Sequence, residues 1–169
     1  LKAYTDDNLI TEQFDDIRAI FMALQDALES DELIIAAVDS KNYIRFKNAL
    51  IQAFGNEAKY SSAVLNKIEN VEELDDKKKK AFSVFPSAST VFVSEDGFFS
   101  GFGLENGSQS VLFLPIDNNR IDKILRDGVI PFLNKVFGSK VENQIATKTK
   151  RINTEKVEVA VSRILKSNS

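Results

Sequence analysis

The chain is 169 residues long, with 43% hydrophobic residues, 28% charged residues and a formal net charge of −3. That length suffices for one domain with a real core, or for a domain and a short extra piece, and the weak negative balance gives no general affinity for nucleic acid or acidic membranes. With neither cysteine nor histidine in the chain, disulfides, thiolate nucleophiles, cysteine-based metal sites and the commonest general base are excluded. Any catalysis would rest on carboxylates, Lys, Tyr, Ser or Thr, with Mg²⁺ or a similar hard cation. No apolar run is long enough to cross a bilayer and no signal-peptide pattern is visible, so the default expectation is a cytoplasmic protein with no membrane partner.

In chain order, Leu9 to Ser30 reads as a helix, because Ile10, Phe14, Ile17, Phe21, Leu24 and Leu28 recur at spacings of three and four. The continuous apolar run Leu33 to Val38 suits a strand buried on both faces of a parallel sheet. Asp39 to Asn42 is turn chemistry, and Tyr43 to Phe54 is helical again, with Phe46, Leu50, Ala53 and Phe54 inward. Ser61 or Ser62 caps a short helix carrying Val64, Leu65 and Ile68. The run Lys77 to Lys80 follows four acidic residues and reads as a mixed-charge, solvated helix or loop.

After Pro86 the texture changes. Ser89 to Val93 reads as a strand, and the apolar stretches on either side of Glu105-Asn106-Gly107-Ser108 read as a β-hairpin. Asn118 or Asn119 opens a long helix with Ile121, Leu125, Val129, Leu133 and Val136 inward, kinked or broken at Pro131. Gln144 to Ile152 alternates like a strand, and Thr154 to Leu165 like a final helix. This order predicts an α/β fold, a three-layer sandwich with a mostly parallel sheet flanked by helices and a β-hairpin side element.

Several of these stretches, taken in order, resemble the molybdopterin-binding domain of CinA-type proteins. Thr5-Asp6-Asp7-Asn8 stands where that family has Val-Gly-Asp-Asn before a helix, and Ser30-Asp31 precedes the apolar strand as it does there. Pro86-Ser87-Ala88, then Ser94, then Gly97-Phe98-Phe99-Ser100-Gly101-Phe102 take the places of the family's proline start, its asparagine and its glycine motif. Val111-Leu112-Phe113-Leu114-Pro115 ends the next strand, and Ile130-Pro131-Phe132-Leu133 matches the usual Leu-Pro-x-Leu. The resemblance implies a molybdopterin-binding-like domain over 1–143 that lacks the family's first strand ahead of Leu1. It further implies that 144–169 begins a KH-like domain, with Lys148 to Ile152 as its leading strand; the trailing Lys166-Ser167-Asn168-Ser169, read by itself, looks cut.

The ligand loops depart from the family pattern. Its Gly-Gly-Leu-Gly-Pro-Thr loop, whose bare backbone wraps a phosphate or a pterin, is here Ala37-Val38-Asp39-Ser40-Lys41-Asn42, without a glycine and with an added negative charge. After Pro115 the family's Gly-Val-Pro-x-Glu-Met is here Ile116-Asp117-Asn118-Asn119-Arg120-Ile121, without that glycine or that glutamate. The expectation is therefore a noncatalytic relative with a scaffold or regulatory role, needing no cofactor and working with a protein partner or as a homo-oligomer. The alternative is a divergent nucleotide-pyrophosphate hydrolase, or a molybdopterin- or nucleotide-binding protein, using Mg²⁺. In that case Asp7, Asp39 and Asp117 would hold the metal, Ser40 and Ser94 would contact phosphate oxygens, and Gly97, Ser100 and Gly101 would complete the ligand loop. Asp7 as a helix or turn cap, and Gly97 and Gly101 as turn residues, are the plainer readings. A third reading is a peptide-binding module with an exposed Phe98, Phe99 and Phe102 platform, against simple packing of those rings.

Overall fold

A computed structural model describes residues 2–4, 9–11, 17–30, 33–54, 57–107, 109–116 and 120–137. Two short strands, β1 (Lys2–Tyr4) and β2 (Leu9–Thr11), pair antiparallel and precede helix α1 (Ile17–Ser30). Strand β3 (Leu33–Val38) and helix α2 (Tyr43–Ala53) follow. Next come β4 (Ala58–Tyr60), α3 (Ser62–Ile68), α4 (Asp76–Ser83) and β5 (Val84–Pro86). Strands β6 (Thr90–Phe92), β7 (Gly101–Asn106) and β8 (Gln109–Pro115) lead to a continuous helical rod. The rod consists of α5 (Ile121–Ile124), a π-helical segment (Leu125–Val129) and α6 (Ile130–Phe137).

The main sheet has the order β3-β8-β7-β6. Only β3 and β8 pair parallel, while β8 with β7 and β7 with β6 pair antiparallel. The expectation of a mostly parallel sheet with a hairpin at its side is thus corrected, because the β7–β8 hairpin lies inside the sheet. Its turn is the one the sequence marks: Asn106 faces Gln109 in the register, and Gly107 takes the positive φ of 63° that a tight reversal requires. Inclusion of the hairpin follows from burial. Gly101 to Leu104 and Ser110 to Pro115 are buried without alternation, so both faces of these strands are covered.

Helices supply the cover. Ile34, Val38, Val111, Phe113, Phe102 and Leu104 join Leu24 of α1, Tyr43, Phe46 and Leu50 of α2, and Val64 and Ile68 of α3 in one core. Leu112, Leu114 and Phe92 join Ile121, Leu125, Val129, Phe132 and Leu133 in a second core on the opposite face. Helix α6 runs on through Pro131, so no break falls there, and the helical irregularity is the π-helical segment just before it. The Ile130 amide reaches back five residues to the Leu125 carbonyl, and this widening also sets Gly128 directly against the Phe92 ring. A Cβ there would stand 2.6 Å from ring carbons.

Two other expectations change. The first helix starts at Ile17, and Leu9 to Thr11 is strand. On α2, Tyr43, Lys47 and Ile51 are buried beside Phe46 and Leu50, whereas Ala53 is exposed. Gln144 to Ile152 and Thr154 to Leu165 lie outside the described residues.

The β4–α3–α4–β5 segment joins the core through Val64, Ile68 and Phe85, and lysine ammonium groups on backbone carbonyls add polar ties. Lys59 donates to Ser89 O at 2.5 Å and Lys67 to Glu95 O at 2.6 Å, while Lys79 donates to Glu69 O at 2.6 Å within the segment. Ser61 caps α3 by accepting the Val64 amide at 3.3 Å, and Asp75 caps α4 by accepting the Lys78 amide at 2.7 Å. The lysine run lies in a capped helix, with Lys77, Lys78 and Lys80 exposed and Lys79 half-buried.

Candidate functional site

Strands β6 and β8 both run antiparallel to β7, and β3 runs parallel to β8. The ends of β3, β8 and β6 therefore reach one edge of the sheet. That edge collects the turn Asp39–Asn42, the loop Ser94–Ser100 and Ile116 just after β8. Asp39, Ser40, Ser94, Gly97, Ser100 and Gly101 are accordingly brought to one side of the fold. Asp7 and Asp117 lie outside the described residues, and so does any meeting of Asp39 with Asp117.

The edge is filled by the chain itself. The Asp39 carboxylate accepts the Asn42 amide at 2.9 Å and the Asn42 side-chain amide at 3.4 Å. An acid thus stands in the turn just ahead of α2, whose N-cap is Asn42, on the side where the helix dipole favours an anion. Asp39→Ala is expected to cost about 1 kcal/mol through loss of this turn bond, measurable as a lowered urea midpoint.

Ser94 and Ser100 are buried and spend their hydroxyls on the loop. Ser100 Oγ accepts the Ser94 amide at 3.0 Å and donates to Gly97 O at 3.1 Å, while Ser94 Oγ donates to the Phe98 carbonyl. Asp96 accepts the Phe98 amide at 2.9 Å. Ser40 is exposed in the turn.

Both glycines are required by shape. Gly97 has φ +87°, and a Cβ there would stand 2.8 Å from Lys67 Cβ and 2.9 Å from Ile68 Cγ2 of α3. A Cβ at Gly101 would stand 2.6 Å from the Phe113 carbonyl oxygen of β8. Gly97→Ala is expected to destabilise by at least about 1–2 kcal/mol, the usual cost of a left-handed non-glycine residue, with the loss visible in thermal unfolding.

Two aromatic side chains, Tyr43 and Phe99, join the start of α2 to the loop. The Tyr43 hydroxyl donates to Ser100 O at 2.6 Å, and its ring meets Phe99 edge-on at 5.1 Å. Arg120 lies over the other part of this stack, 4.9 Å from the Phe99 ring centre, and pairs with Asp96 at 3.0–3.2 Å. Phe99 holds this position with a φ of 49°, an uncommon backbone conformation for a bulky residue. Phe98 and Phe99 both pack edge-on against Phe82, and Phe102 is fully buried. The three rings are packing residues, and they form no exposed platform.

Sequence reasoning missed Tyr43, Asp96, Arg120 and Lys47. Lys47 is fully buried on α2, four residues after Tyr43. Its ammonium donates to Ala81 O at 2.8 Å and Phe82 O at 3.1 Å, and it lies 4.3 Å from the Phe85 ring centre and 5.0 Å from that of Tyr43. Burial pulls its pKa down to about 7, and burial pushes the Tyr43 phenol well above its usual range. The only sequence signal was the i, i+4 spacing of Tyr43, Lys47 and Ile51 on the inward face.

Among the described residues no three acidic side chains converge as a metal site would require. A groove of about 330 Å³ opens at the opposite, hairpin end of the sheet, lined by residues such as Leu28, Phe54, Leu104, Asn106 and Gln109. None of the sequence-predicted site residues lines it. No helix of the described residues is long and apolar enough to cross a membrane. No family model matches the sequence, and no curated protein shows significant similarity to it.

Proposed function

We propose that this chain is a noncatalytic, divergent relative of the CinA-type molybdopterin-binding domain, whose retained scaffold serves assembly or regulation through a protein partner or a second copy of itself. The observation that carries this reading is the Asp39 carboxylate at the start of α2, bonded to the Asn42 amide. A phosphate brought to that helix start would meet the negative charge of Asp39, held there by its bonds to Asn42. The buried, internally bonded Ser94 and Ser100 and the Tyr43–Phe99–Arg120 stack support it further, since these groups already satisfy one another. Gly97 and Gly101 are accounted for by close packing alone.

The test is a melting-temperature titration of the purified protein with ADP-ribose, AMP and a pterin, each with and without Mg²⁺. No shift with any ligand is the expected result. A saturable, Mg²⁺-dependent rise of several degrees overturns the reading in favour of a divergent pyrophosphate hydrolase or a pterin or nucleotide carrier. A ligand that binds only the folded state must raise its melting point.

A further inference from the structure

Lys47 is placed as few lysines are. Its ammonium takes two of the carbonyls that the last turn of α4 leaves unpaired, Ala81 O and Phe82 O. The next carbonyl, Ser83 O, accepts the Ser61 amide at 2.8 Å. The α4 end is therefore tied to α2 by Lys47 and to the start of α3 by Ser61. In turn α3 backs the loop at the sheet edge: Lys67 bonds Glu95 O, and Lys67 and Ile68 press on Gly97. One buried amine thus links α2 to the support of the Ser94–Ser100 loop.

We infer that Lys47 is a proton-operated latch between α2 and the α3–α4–β5 segment that supports the Ser94–Ser100 loop. A neutral amine has two N–H groups, and the two carbonyls satisfy both. A third N–H and a full charge in this core have only the Tyr43 and Phe85 ring faces for company. The groups around it supply no compensating charge. On α2 the titratable neighbour is Tyr43, committed to Ser100 O, and β5 offers only Val84, Phe85 and Pro86. On α4 Lys79 is committed to Glu69 O and Lys80 is exposed. Among the described residues no carboxylate pairs with Lys47. Protonation loosens the latch, and loss of the proton tightens it.

The deciding measurement is amide exchange of the intact chain between pH 7.5 and 9.5, read at the Ser61 amide and across the amides of residues 79–85. Intrinsic exchange rises in proportion to hydroxide. An opening that exposes Lys47 takes up one proton, so its equilibrium constant falls about tenfold per pH unit in this window. The two effects cancel, and the wild-type rates are expected to stay flat with pH, whereas in Lys47→Met they rise about tenfold per unit. Wild-type rates that rise in the same proportion as the variant's overturn the latch. Should Lys47→Met fail to fold, the Lys47 side-chain carbon resonances of the wild type decide: a titration midpoint near 7 supports the inference, and a midpoint above about 10, the ordinary lysine value, refutes it.

Discussion

Phe113→Ala is expected to be the most damaging single truncation in the fold, costing about 3–5 kcal/mol. Phe113 is fully buried in β8 and stands between Ala36 of β3 and Phe102 of β7 in the sheet register. Its ring packs at 5.1 Å on Phe102, 5.4 Å on Tyr43 and 6.0 Å on Phe46, so it joins the hairpin to α2. Removing it leaves a cavity whose walls are held by the strands on either side, and such walls relax little. A domain with a typical stability of about 5–15 kcal/mol would be left marginal. Urea unfolding checks the expectation, with Tyr60→Ala, at an exposed strand position, staying within about 0.5 kcal/mol as the control. A loss below about 1 kcal/mol at Phe113 would contradict the core described here.

The second large effect is on stability against pH. Lys47 has its pKa lowered from 10.5 to about 7 by burial. Below about 7 the amine is protonated in both the folded and the unfolded chain, and the full cost of a buried charge is present. Between that value and the unfolded pKa the unfolded chain holds one more proton, so rising pH favours folding, by about 1.4 kcal/mol per unit and roughly 4 kcal/mol over three units. Tyr43 acts with the opposite pH slope. Its raised pKa means that the unfolded chain loses the phenolic proton first, and stability falls again above about 10, the ordinary tyrosine value. The Lys47 contribution should therefore lift stability from neutral pH to a maximum near the ordinary tyrosine and lysine values. Comparing the wild type with Lys47→Met by urea unfolding at several pH values isolates it, since the variant lacks the rise. Parallel curves for the two proteins would remove Lys47 as the cause.

How much of this was legible depended on whether a feature is local. The Leu33–Val38 strand, the α2 helix, the Ser61 cap and the Asn106-Gly107 reversal were all readable, because each is set by neighbours in sequence. Where the hairpin goes is not local. Its strands show no alternation because α2 and the Leu125–Leu133 helix cover both faces, and an uninterrupted apolar run reads equally well as a parallel strand. The β4–β5 pair escaped because Ala58 to Tyr60 is exposed throughout and carries no pattern. Leu9 to Thr11 was drawn into the α1 stripe because Ile10 fits the helical spacing.

The site was legible to a similar depth. The turn Asp39–Asn42 and the loop Ser94–Ser100 follow strands whose directions carry both to one edge of the sheet. The sequence did not mark what closes that edge. Tyr43 reaches 57 positions along the chain to Ser100, and Arg120 reaches 24 back to Asp96. Lys47 was hidden for the same reason, because its partners are carbonyls 34 and 35 positions away. A lysine on an apolar helix face reads as solvated until the helix end that receives it is known.

The most direct test of the proposed loss of ligand binding is a ¹⁵N-resolved NMR titration with ADP-ribose and Mg²⁺, following the amides of Ser40, Asn42, Tyr43, Gly97 and Ser100. Under the proposed reading these resonances stay where they are up to millimolar ligand. Saturable shifts clustered on these five amides would mean that the edge opens to a nucleotide despite Asp39 and Phe99, and the noncatalytic reading would be wrong.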